Sequence, residues 1–220
     1  MHLQRLIDIL LSASAILVSS PLLTVIVLVL KFTGEGEVFF RQARVGRGGR
    51  TFALLKFATM LKDSENLGAG TVTLQNDFRV LPFGKVLRKT KLNELPQLFN
   101  ILLGDMSVIG PRPLHHKQFS FYSDHDREII SSVLPGLSGV GSIMFRDEEK
   151  ILQSAEDPDQ TYQKLITPEK ARLEKWYVEN KSLFLYFKLI VLTIVAVIFP
   201  SLKMTRFFRS LENPPPTGDA

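Results

Sequence analysis

The stretch KLNELPQLFNILLGDMSVIGPRP, residues 91–113, combines an apolar pattern with two carboxylates, three prolines and one arginine. Pro96 is typical of the first turn of a helix, because the N–H that proline lacks would have no partner there. Glu94 would then lie at the amino end of that helix, where backbone N–H groups and the helix dipole favour anions. A helix cap followed by a structural turn explains the same residues without any chemistry.

The end of this stretch places an arginine between two prolines. Pro111 and Pro113 restrict the backbone around Arg112 to a stiff extended turn. A guanidinium held in this way can bind phosphate oxygens with two parallel hydrogen bonds. We therefore interpret Arg112 as a phosphate-binding candidate and Asp105 as a structural residue.

The apolar run ILLSASAILVSSPLLTVIVLVL extends from Ile9 to Leu30 without one charged residue. At about 1.5 Å per residue, a helix of this length can cross the hydrocarbon core of a bilayer. A cleaved signal peptide would have a shorter apolar region followed by a small-residue cleavage site. The run therefore predicts a membrane helix.

Pro21 lies in the middle of this run, where it removes one helical hydrogen bond and its ring clashes with the preceding turn. Ser19 and Ser20 can satisfy the carbonyl that is freed, so we expect the helix to bend at Ser20–Pro21. Basic residues follow the run: Lys31, Arg41, Arg44, Arg47 and Arg50. They place this flank in the cytosol. A straight span and a re-entrant hairpin both fit these charges.

Residues 37–60, EVFFRQARVGRGGRTFALLKFATM, predict a β-hairpin, because two apolar runs flank a turn rich in glycine. Lys56 and the arginines of the hairpin would form a surface that attracts lipid phosphate or a nucleotide diphosphate. For each arginine taken singly, a solvated position is the favoured explanation. GRGG matches neither the dinucleotide-binding nor the P-loop pattern.

The composition restricts the chemistry further. The formal charge of +5, from 27 Lys and Arg against 22 Asp and Glu, favours anionic partners. The absence of cysteine excludes disulfides, thiolate metal sites and cysteine nucleophiles. The four histidines lack zinc-ligand spacing. No helix-turn-helix, RRM or zinc-finger pattern is present, so we expect no nucleic acid partner.

Two segments of the C-terminal half predict helices. Residues 147–175 are rich in charge and read as helices split near Pro158 and Pro168, with a solvated helical pair favoured over a lid or partner surface. The apolar run from Leu183 to Phe199 is short for a second span. It predicts a helix against the membrane interface or the core. The tail from Pro214 to Ala220 is expected to be disordered.

Two long blocks of the sequence resemble one family. Residues 38–113 are similar to the core of the bacterial sugar transferases, the monotopic polyprenol-phosphate phosphoglycosyl transferases, whose pattern runs FxQxRxGxxGxxFxxxKFRTM and then LRxTxLDELPQLxNxLxGDMSxxGPRP. The resemblance extends to PGLSG at 135–139 and to WYVENKSLFLYFKLIVLT at 176–193. The apolar run with Ser20–Pro21 resembles the re-entrant helix of the family.

The resemblance implies a reaction at a membrane. A UDP-sugar donates its sugar-1-phosphate to polyprenyl (undecaprenyl) phosphate, which gives a polyprenyl diphosphate sugar and UMP, an early step of glycoconjugate, O-antigen or capsule assembly. The implied cofactor is Mg²⁺, with Glu94 as a metal ligand. The implied location is the cytosolic face of the bacterial inner membrane, and a homodimer is one option. Lys56, Arg88, Pro111 and Arg112 are the implied substrate-binding residues.

The sequence departs from the family at the catalytic pair. The family has Asp-Glu, in which the aspartate attacks the β-phosphate; here the pair is Asn93-Glu94. An amide is neither an anionic nucleophile nor a good metal ligand. A substitution made to trap substrate, a natural variant with another route and a loss of activity all stay open. Ala58 replaces the arginine of KFRTM, and Ser142 replaces a glutamine.

The sequence therefore predicts an α/β fold that is mostly helical, with a small β-hairpin and interfacial amphipathic helices. The predicted division is a bent re-entrant membrane helix at 1–32, a catalytic domain at 33–200 and a basic, then disordered tail at 201–220. The alternative is a catalytically impaired family member that acts as a membrane scaffold or lipid-binding module.

Overall fold

The structure is a computed structural model that describes residues 2–64, 77–146, 148–153, 155, 157–199, 201–202 and 204–208. The chain forms two compact units, and each is built from two separate parts of the sequence. The first unit comprises Met1–Ala43 and Ala53–Gly104, and the second comprises Arg44–Phe52 and Asp105–Ala220. The predicted boundaries after residues 32 and 200 stay a prediction.

The first unit begins with the long helix α1, His2–Phe32, which contains Pro21. Among the described residues it is the one helix that is long and apolar enough to cross a membrane. Pro21 cannot donate to the Leu17 carbonyl, and the Ser20 hydroxyl donates to that carbonyl instead, at 2.8 Å. The predicted role of the serine is confirmed, while the bend and the re-entry stay predictions.

The remaining elements of the first unit follow the sequence prediction closely. Strands β1 and β2 are hydrogen-bonded neighbours joined by a glycine-rich turn, so the predicted hairpin is confirmed. Pro96 occupies the cap position directly before α3, as predicted. The bounds are β1 Phe39–Val45, β2 Thr51–Phe57, α2 Pro82–Lys89, a 3₁₀ turn Leu92–Glu94 and α3 Gln97–Leu103.

The second half of α1 packs into the core of the first unit. Ile26 and Leu30 are buried with Phe57 of β2 and Leu87 of α2. Partly buried residues surround this cluster: Leu23, Val27, Val38, Phe83, Leu92 and Leu95. Burial of aliphatic and aromatic side chains of this size contributes roughly 1.5–3 kcal/mol each.

The first turns of α1 also contact the first unit, at α3. The guanidinium of Arg5 donates to the carbonyls of Ile101 and Leu102, at 2.5 and 2.9 Å. These carbonyls lie in the last turn of α3, where a cation complements the helix dipole. Between the two contacts the helix is open to its surroundings: Leu17 is 75% exposed and Val18 is 82% exposed.

The second unit contains a parallel strand pair and seven helices among the residues that the structure describes. Strands β3 and β4 pair in parallel, with Ser107 opposite Gly136 and Ile109 opposite Ser138. The sequence did not predict this pair. The bounds are β3 Ser107–Ile109, α4 His116–Phe119, α5 Asp124–Ser131, β4 Gly136–Ser138, α6 Val140–Met144, α7 Glu148–Gln153, α8 Pro158–Thr161, α9 Thr167–Glu179 and α10 Leu183–Ile198.

Glycine is required directly after β3, at Gly110, and at the first residue of β4, Gly136. A Cβ at Gly136 would lie 2.1 Å from the backbone N of Gly110. A Cβ at Gly110 would lie 2.5 Å from the Leu134 carbonyl oxygen. Both neighbours are backbone atoms, so neither can rotate away. The GPRP and PGLSG motifs therefore pack backbone against backbone.

The charged segment before α10 differs from its prediction in two ways. The predicted boundary near Pro168 is present, since α9 begins at Thr167 with Pro168 in its first turn, but no loop lies there: a π-helical segment, Tyr162–Ile166, joins α8 to α9, and the N–H of Thr167 donates to the Tyr162 carbonyl. The predicted solvated pair is wrong for α9, because this helix buries charged side chains together with apolar ones. Its buried residues are Thr167, Lys170, Ala171, Leu173, Glu174 and Tyr177.

The predicted C-terminal helix is confirmed as α10, and it has two faces. The buried face carries Leu185, Tyr186, Leu189 and Leu192. The opposite face exposes Phe184, Phe187, Val191, Ile194 and Val197. Contact of this face with a membrane interface stays a prediction. The tail from Pro214 to Ala220 lies outside the described residues.

Candidate active site

Asn93 and Glu94 lie in the short 3₁₀ turn between α2 and α3. The preceding residue, Lys91, is in the left-handed region, with φ 59° and ψ 8°. A non-glycine residue in this conformation costs about 1 kcal/mol or more, and such residues cluster at functional sites. The Lys91 carbonyl accepts the N–H of Glu94 at 3.1 Å, which closes the turn.

The side chain of Asn93 is buried, with 8% of its surface exposed. Within the described parts of the chain, no group donates a hydrogen bond to its Oδ1 atom. An unpaired buried amide oxygen costs roughly 1–3 kcal/mol. In a native protein such an atom calls for an explanation, and a bound cation or ligand is one.

The other predicted site residues of the first unit lie on two elements, α2 and β2. Arg88 lies in the last turn of α2, which packs against the 3₁₀ turn. Lys56 lies on β2, directly before Phe57 of the core cluster. Both side chains are half-buried, as is Glu94. Each of these cations can therefore be part of a phosphate site without a large desolvation cost.

Asn100 attaches α3 to β2 and so supports the turn that precedes α3. Its Oδ1 accepts the N–H of Leu55 at 2.9 Å, and its Nδ2 donates to the Ala53 carbonyl at 2.8 Å. The side chain is 1% exposed. Asn100 is not among the predicted site residues, although it occupies the asparagine of the LPQLxN part of the family pattern, which is the signal that could have identified it.

Pro111 and Arg112 belong to the second unit, where one peptide group is held from two sides. The Pro111 carbonyl accepts the N–H of Gly136 at 2.8 Å. The N–H of Arg112 donates to Oε1 of Glu174 at 3.2 Å. The Arg112 side chain is exposed, whereas Pro111 and Pro113 are buried. The predicted stiff turn is confirmed.

Glu174 is part of a buried polar cluster that the sequence did not predict. Its Oε2 atom has no hydrogen-bond partner among the described residues. Burial raises the pKa of Glu174 to about 7, although the Arg112 N–H and the charges of Lys170 and Arg112 act in the opposite direction. Burial also lowers the pKa of Lys170, which pairs with Glu148. No sequence signal identifies these residues, since charged side chains are expected on solvated faces.

The two departures from the family motif outside position 93 are both at buried or half-buried places. Ala58, in place of an arginine, is 7% exposed, and its N–H donates to the Val38 carbonyl. The hydroxyl of Ser142, in place of a glutamine, is buried without a partner in the described part of the chain. The structure therefore offers no arginine or glutamine side chain at these two positions.

The 3₁₀ turn offers one good ligand for a magnesium ion, the carboxylate of Glu94, and one weaker ligand, the amide oxygen of Asn93. Mg²⁺ prefers hard oxygen ligands, and it is commonly bound by one or two carboxylates together with substrate phosphates. The turn supplies the carboxylate of Glu94 and the unpaired amide oxygen of Asn93. No group of three or more His, Cys, Asp or Glu side chains suited to a metal occurs in the described residues.

Comparisons with a family profile and with individual proteins both point to the bacterial sugar transferases. The profile described as bacterial sugar transferase matches residues 1–200. The chain is 37% identical over 201 residues to a UDP-N-acetylgalactosamine-undecaprenyl-phosphate N-acetylgalactosaminephosphotransferase of Aeromonas hydrophila, covering 89% of this chain and 44% of that protein. It is 34% identical over 208 residues to the exopolysaccharide production protein ExoY of Rhizobium meliloti (strain 1021), covering 88% and 84%.

A third similar protein is the UDP-glucose:undecaprenyl-phosphate glucose-1-phosphate transferase of Klebsiella pneumoniae. The identity is 35% over 204 residues, which is 88% of this chain and 40% of that protein. The chain thus spans less than half the length of the Aeromonas and Klebsiella proteins and most of the length of ExoY.

Replacing Asn100 by Ala should destabilise the first unit. The change leaves the Leu55 N–H and the Ala53 carbonyl without their partner in a partly buried place, so we expect a loss of about 1–3 kcal/mol in the free energy of unfolding. The control is Asn180→Ala, at an exposed asparagine that donates to the Trp176 carbonyl, with an expected change within about 0.5 kcal/mol. Denaturant unfolding in detergent micelles measures both. Equal effects would contradict the role of Asn100 as a clamp.

Glu174 should make stability depend on pH. Its pKa is about 7 in the folded protein against 4.5 ordinarily, so between these values the folded protein retains a proton that the unfolded chain has released. The free energy of unfolding must then fall as the pH rises from about 4.5 to about 7 and level off above it. Glu174→Gln lacks this titration. Its advantage over the parent protein should grow across the window by about 3 kcal/mol, measured by denaturant unfolding at several pH values; a constant difference would refute this.

Proposed function

Because the chain belongs to the bacterial sugar transferase family, we propose that it transfers sugar-1-phosphate from a UDP-sugar to polyprenyl phosphate at a membrane surface. The names of similar proteins support both substrates, since two of them name a UDP-sugar and undecaprenyl phosphate. The sugar itself is not specified by the names, because one names N-acetylgalactosamine and the other names glucose.

The observation that carries the proposal is the position of the Asn93–Glu94 turn on the apolar helix α1. Leu92 and Leu95 bracket this pair, and both pack on the core cluster formed by Ile26 and Leu30. A reaction between a water-soluble donor and a lipid acceptor requires polar residues next to an apolar, membrane-compatible helix. The first unit provides this arrangement.

Both units contain cations suited to phosphate. Arg88 and Lys56 of the first unit are half-buried, and Arg88 lies on α2, which packs against the turn. Arg112 of the second unit presents an exposed guanidinium from a rigid turn, and its planar fork can bind two phosphate oxygens at once. Glu94 and the Asn93 amide oxygen would hold a magnesium ion. When bound, the ion supplies positive charge that neutralises the donor diphosphate.

The amide of Asn93 changes what the chain can do in the first step. In the two-step route of the family, a carboxylate oxygen attacks the β-phosphorus and UMP leaves with the bridging oxygen. Asn93 lacks that anion. For this chain the remaining routes are attack by Glu94 and direct transfer, in which an oxygen of polyprenyl phosphate attacks the β-phosphorus and UMP leaves in the same step. Glu94 would act as the nucleophile in the first of these routes and as a base in the second.

A non-catalytic membrane scaffold is the second candidate, and position 93 is the observation that favours it. The same fold without the nucleophile could bind donor or lipid without turnover. Release of UMP that depends on polyprenyl phosphate separates the two candidates, because a scaffold releases none.

The contacts of α1 support a re-entrant membrane helix. Its first turns bind α3 through Arg5, its second half packs on β2 and α2, and the stretch between is exposed and apolar. A helix that crossed the bilayer would carry its two ends to opposite sides, so contacts of both ends with one soluble unit favour a hairpin. The basic residues after α1 favour the cytosolic face of the inner membrane.

Single cysteines can test this topology, because the chain has none of its own. Leu3→Cys and Thr33→Cys place a thiol at each end of α1, and both should react with a membrane-impermeant maleimide only after the cells are permeabilised. Leu17→Cys, in the exposed apolar stretch, is the control that should stay unlabelled in intact membranes. Opposite accessibility of the two ends would exclude the hairpin. Adding Pro21→Leu should restore the backbone hydrogen bond to the Leu17 carbonyl, remove the predicted bend and produce that opposite pattern.

Replacing Asn93 by Asp should open the covalent route. The new carboxylate would lie next to Glu94 in the same turn, and a bound cation would keep it ionised for attack on the donor. Both forms are incubated with UDP-glucose or UDP-N-acetylgalactosamine and Mg²⁺. Intact mass should then show a phosphosugar adduct on the substituted form alone, accompanied by UMP release.

Other results of this experiment separate the candidates. Equal turnover of both forms with polyprenyl phosphate, without an adduct, would exclude a covalent route through residue 93 or Glu94 and favour direct transfer with Glu94 as a base. An adduct on the Asn93 form would indicate attack by Glu94. No reaction of either form with any donor, while both still bind membranes, would favour the scaffold.

A further inference from the structure

We propose that Glu174 is the positioning residue for Arg112, and that its buried carboxylate sets the direction from which the Arg112 guanidinium meets phosphate. This inference rests on the proposed function, since it assigns a partner to the phosphate-binding arginine. All residues that it uses belong to the second unit.

The geometry of one peptide group carries the argument. The peptide that joins Pro111 to Arg112 is held at its carbonyl by the N–H of Gly136, at 2.8 Å, and at its N–H by Oε1 of Glu174, at 3.2 Å. These bonds fix the plane of the peptide from both sides. The direction of the Cα–Cβ bond of Arg112 depends on that plane, so Glu174 acts on the guanidinium through the backbone.

The carboxylate of Glu174 is itself fixed by close packing. It is 3% exposed on the buried face of α9. A Cβ at Gly141 would lie 2.4 Å from Oε1, and a Cβ at Gly139 would lie 3.8 Å from Oε2. The two glycines therefore leave room for the carboxylate directly beside the turn after β4, and the side chain has little freedom to move.

A role in packing alone does not explain why position 174 carries a glutamate. Burying a carboxylate costs several kcal/mol unless charges compensate it, and an apolar side chain of similar size would fill the same space at lower cost. Oε2 has no hydrogen-bond partner among the described atoms. The hydrogen bond to the Arg112 N–H is a benefit that an apolar side chain cannot supply, and it acts on the one exposed guanidinium of the GPRP turn.

Three variants of α9 distinguish positioning from packing. Glu174→Leu removes the acceptor and approximately keeps the volume. Glu174→Gln keeps an oxygen that can accept the Arg112 N–H, so it should behave like the parent protein. Glu169→Leu is the matched control, because Glu169 lies on the same helix, partly exposed, and pairs only locally with Arg172 in the contacts described.

The first measurement is hydrogen exchange of the full chain in lipid nanodiscs without ligand. In a peptide covering residues 110–114, Pro111 and Pro113 carry no amide hydrogen, so Gly110, Arg112 and Leu114 account for all amide exchange. We expect Glu174→Leu to accelerate exchange in this peptide at least tenfold, with Glu174→Gln and Glu169→Leu close to the parent protein. Unchanged exchange in Glu174→Leu would overturn the proposal.

The second measurement is binding of inorganic pyrophosphate, UDP-glucose and UDP-N-acetylgalactosamine, with and without Arg112→Ala. Positioning predicts that Glu174→Leu weakens binding about tenfold when Arg112 is present and has no further effect in Arg112→Ala. Equal losses in both backgrounds would show a structural role only and overturn the proposal. Arg112-dependent binding of pyrophosphate without binding of either UDP-sugar would contradict the proposed function while Glu174 keeps its role. Absence of all binding would overturn both.

Discussion

The packing of Ile26 and Leu30 against Phe57 and Leu87 joins the apolar N-terminal helix to the turn that carries Asn93 and Glu94. Each of these side chains contributes roughly 1.5–3 kcal/mol when buried, so the cluster is strong compared with the net stability of a domain. The direction of α1 and the position of the turn therefore cannot change independently. Under the proposed function, this coupling sets the depth of the reacting groups in the membrane together with the depth of the helix.

The second unit solves a different problem with backbone contacts. Gly110 and Gly136 allow the GPRP and PGLSG segments to approach until a Cβ would overlap a backbone atom. At this distance hydrogen bonds can hold a single peptide group, as they do between Gly136 and Pro111. Pro111 and Pro113 restrict their own φ angles, and the hydrogen bonds fix the orientation of the peptide group between Pro111 and Arg112. An exposed arginine on such a backbone loses less conformational entropy on binding phosphate than one on a flexible loop.

Local signals allowed a large part of the first unit to be predicted, and non-local contacts explain most of what was missed. The hairpin followed from its glycines, the start of α3 from Pro96 and the serine that serves the Leu17 carbonyl from Pro21. The β3–β4 pair joins strands of three residues from distant parts of the chain, and no local pattern reports such a pairing. The burial of Glu174 was missed for the same reason. A glutamate is expected at a solvent-exposed position, and only the structure shows that Gly139 and Gly141 leave space for its buried carboxylate.

Position 93 shows how shape and charge can be separated at one residue. Asparagine and aspartate have nearly the same shape, so the left-handed Lys91 and the 3₁₀ turn accommodate either one. Their energetics differ. A buried unpaired amide oxygen costs about 1–3 kcal/mol, whereas an isolated buried carboxylate costs several kcal/mol until a cation pairs with it. With asparagine the turn can therefore form in the absence of a cation at modest cost. With aspartate the same turn would be stabilised by a cation bound to the carboxylate, so folding of the site and cation binding would be linked.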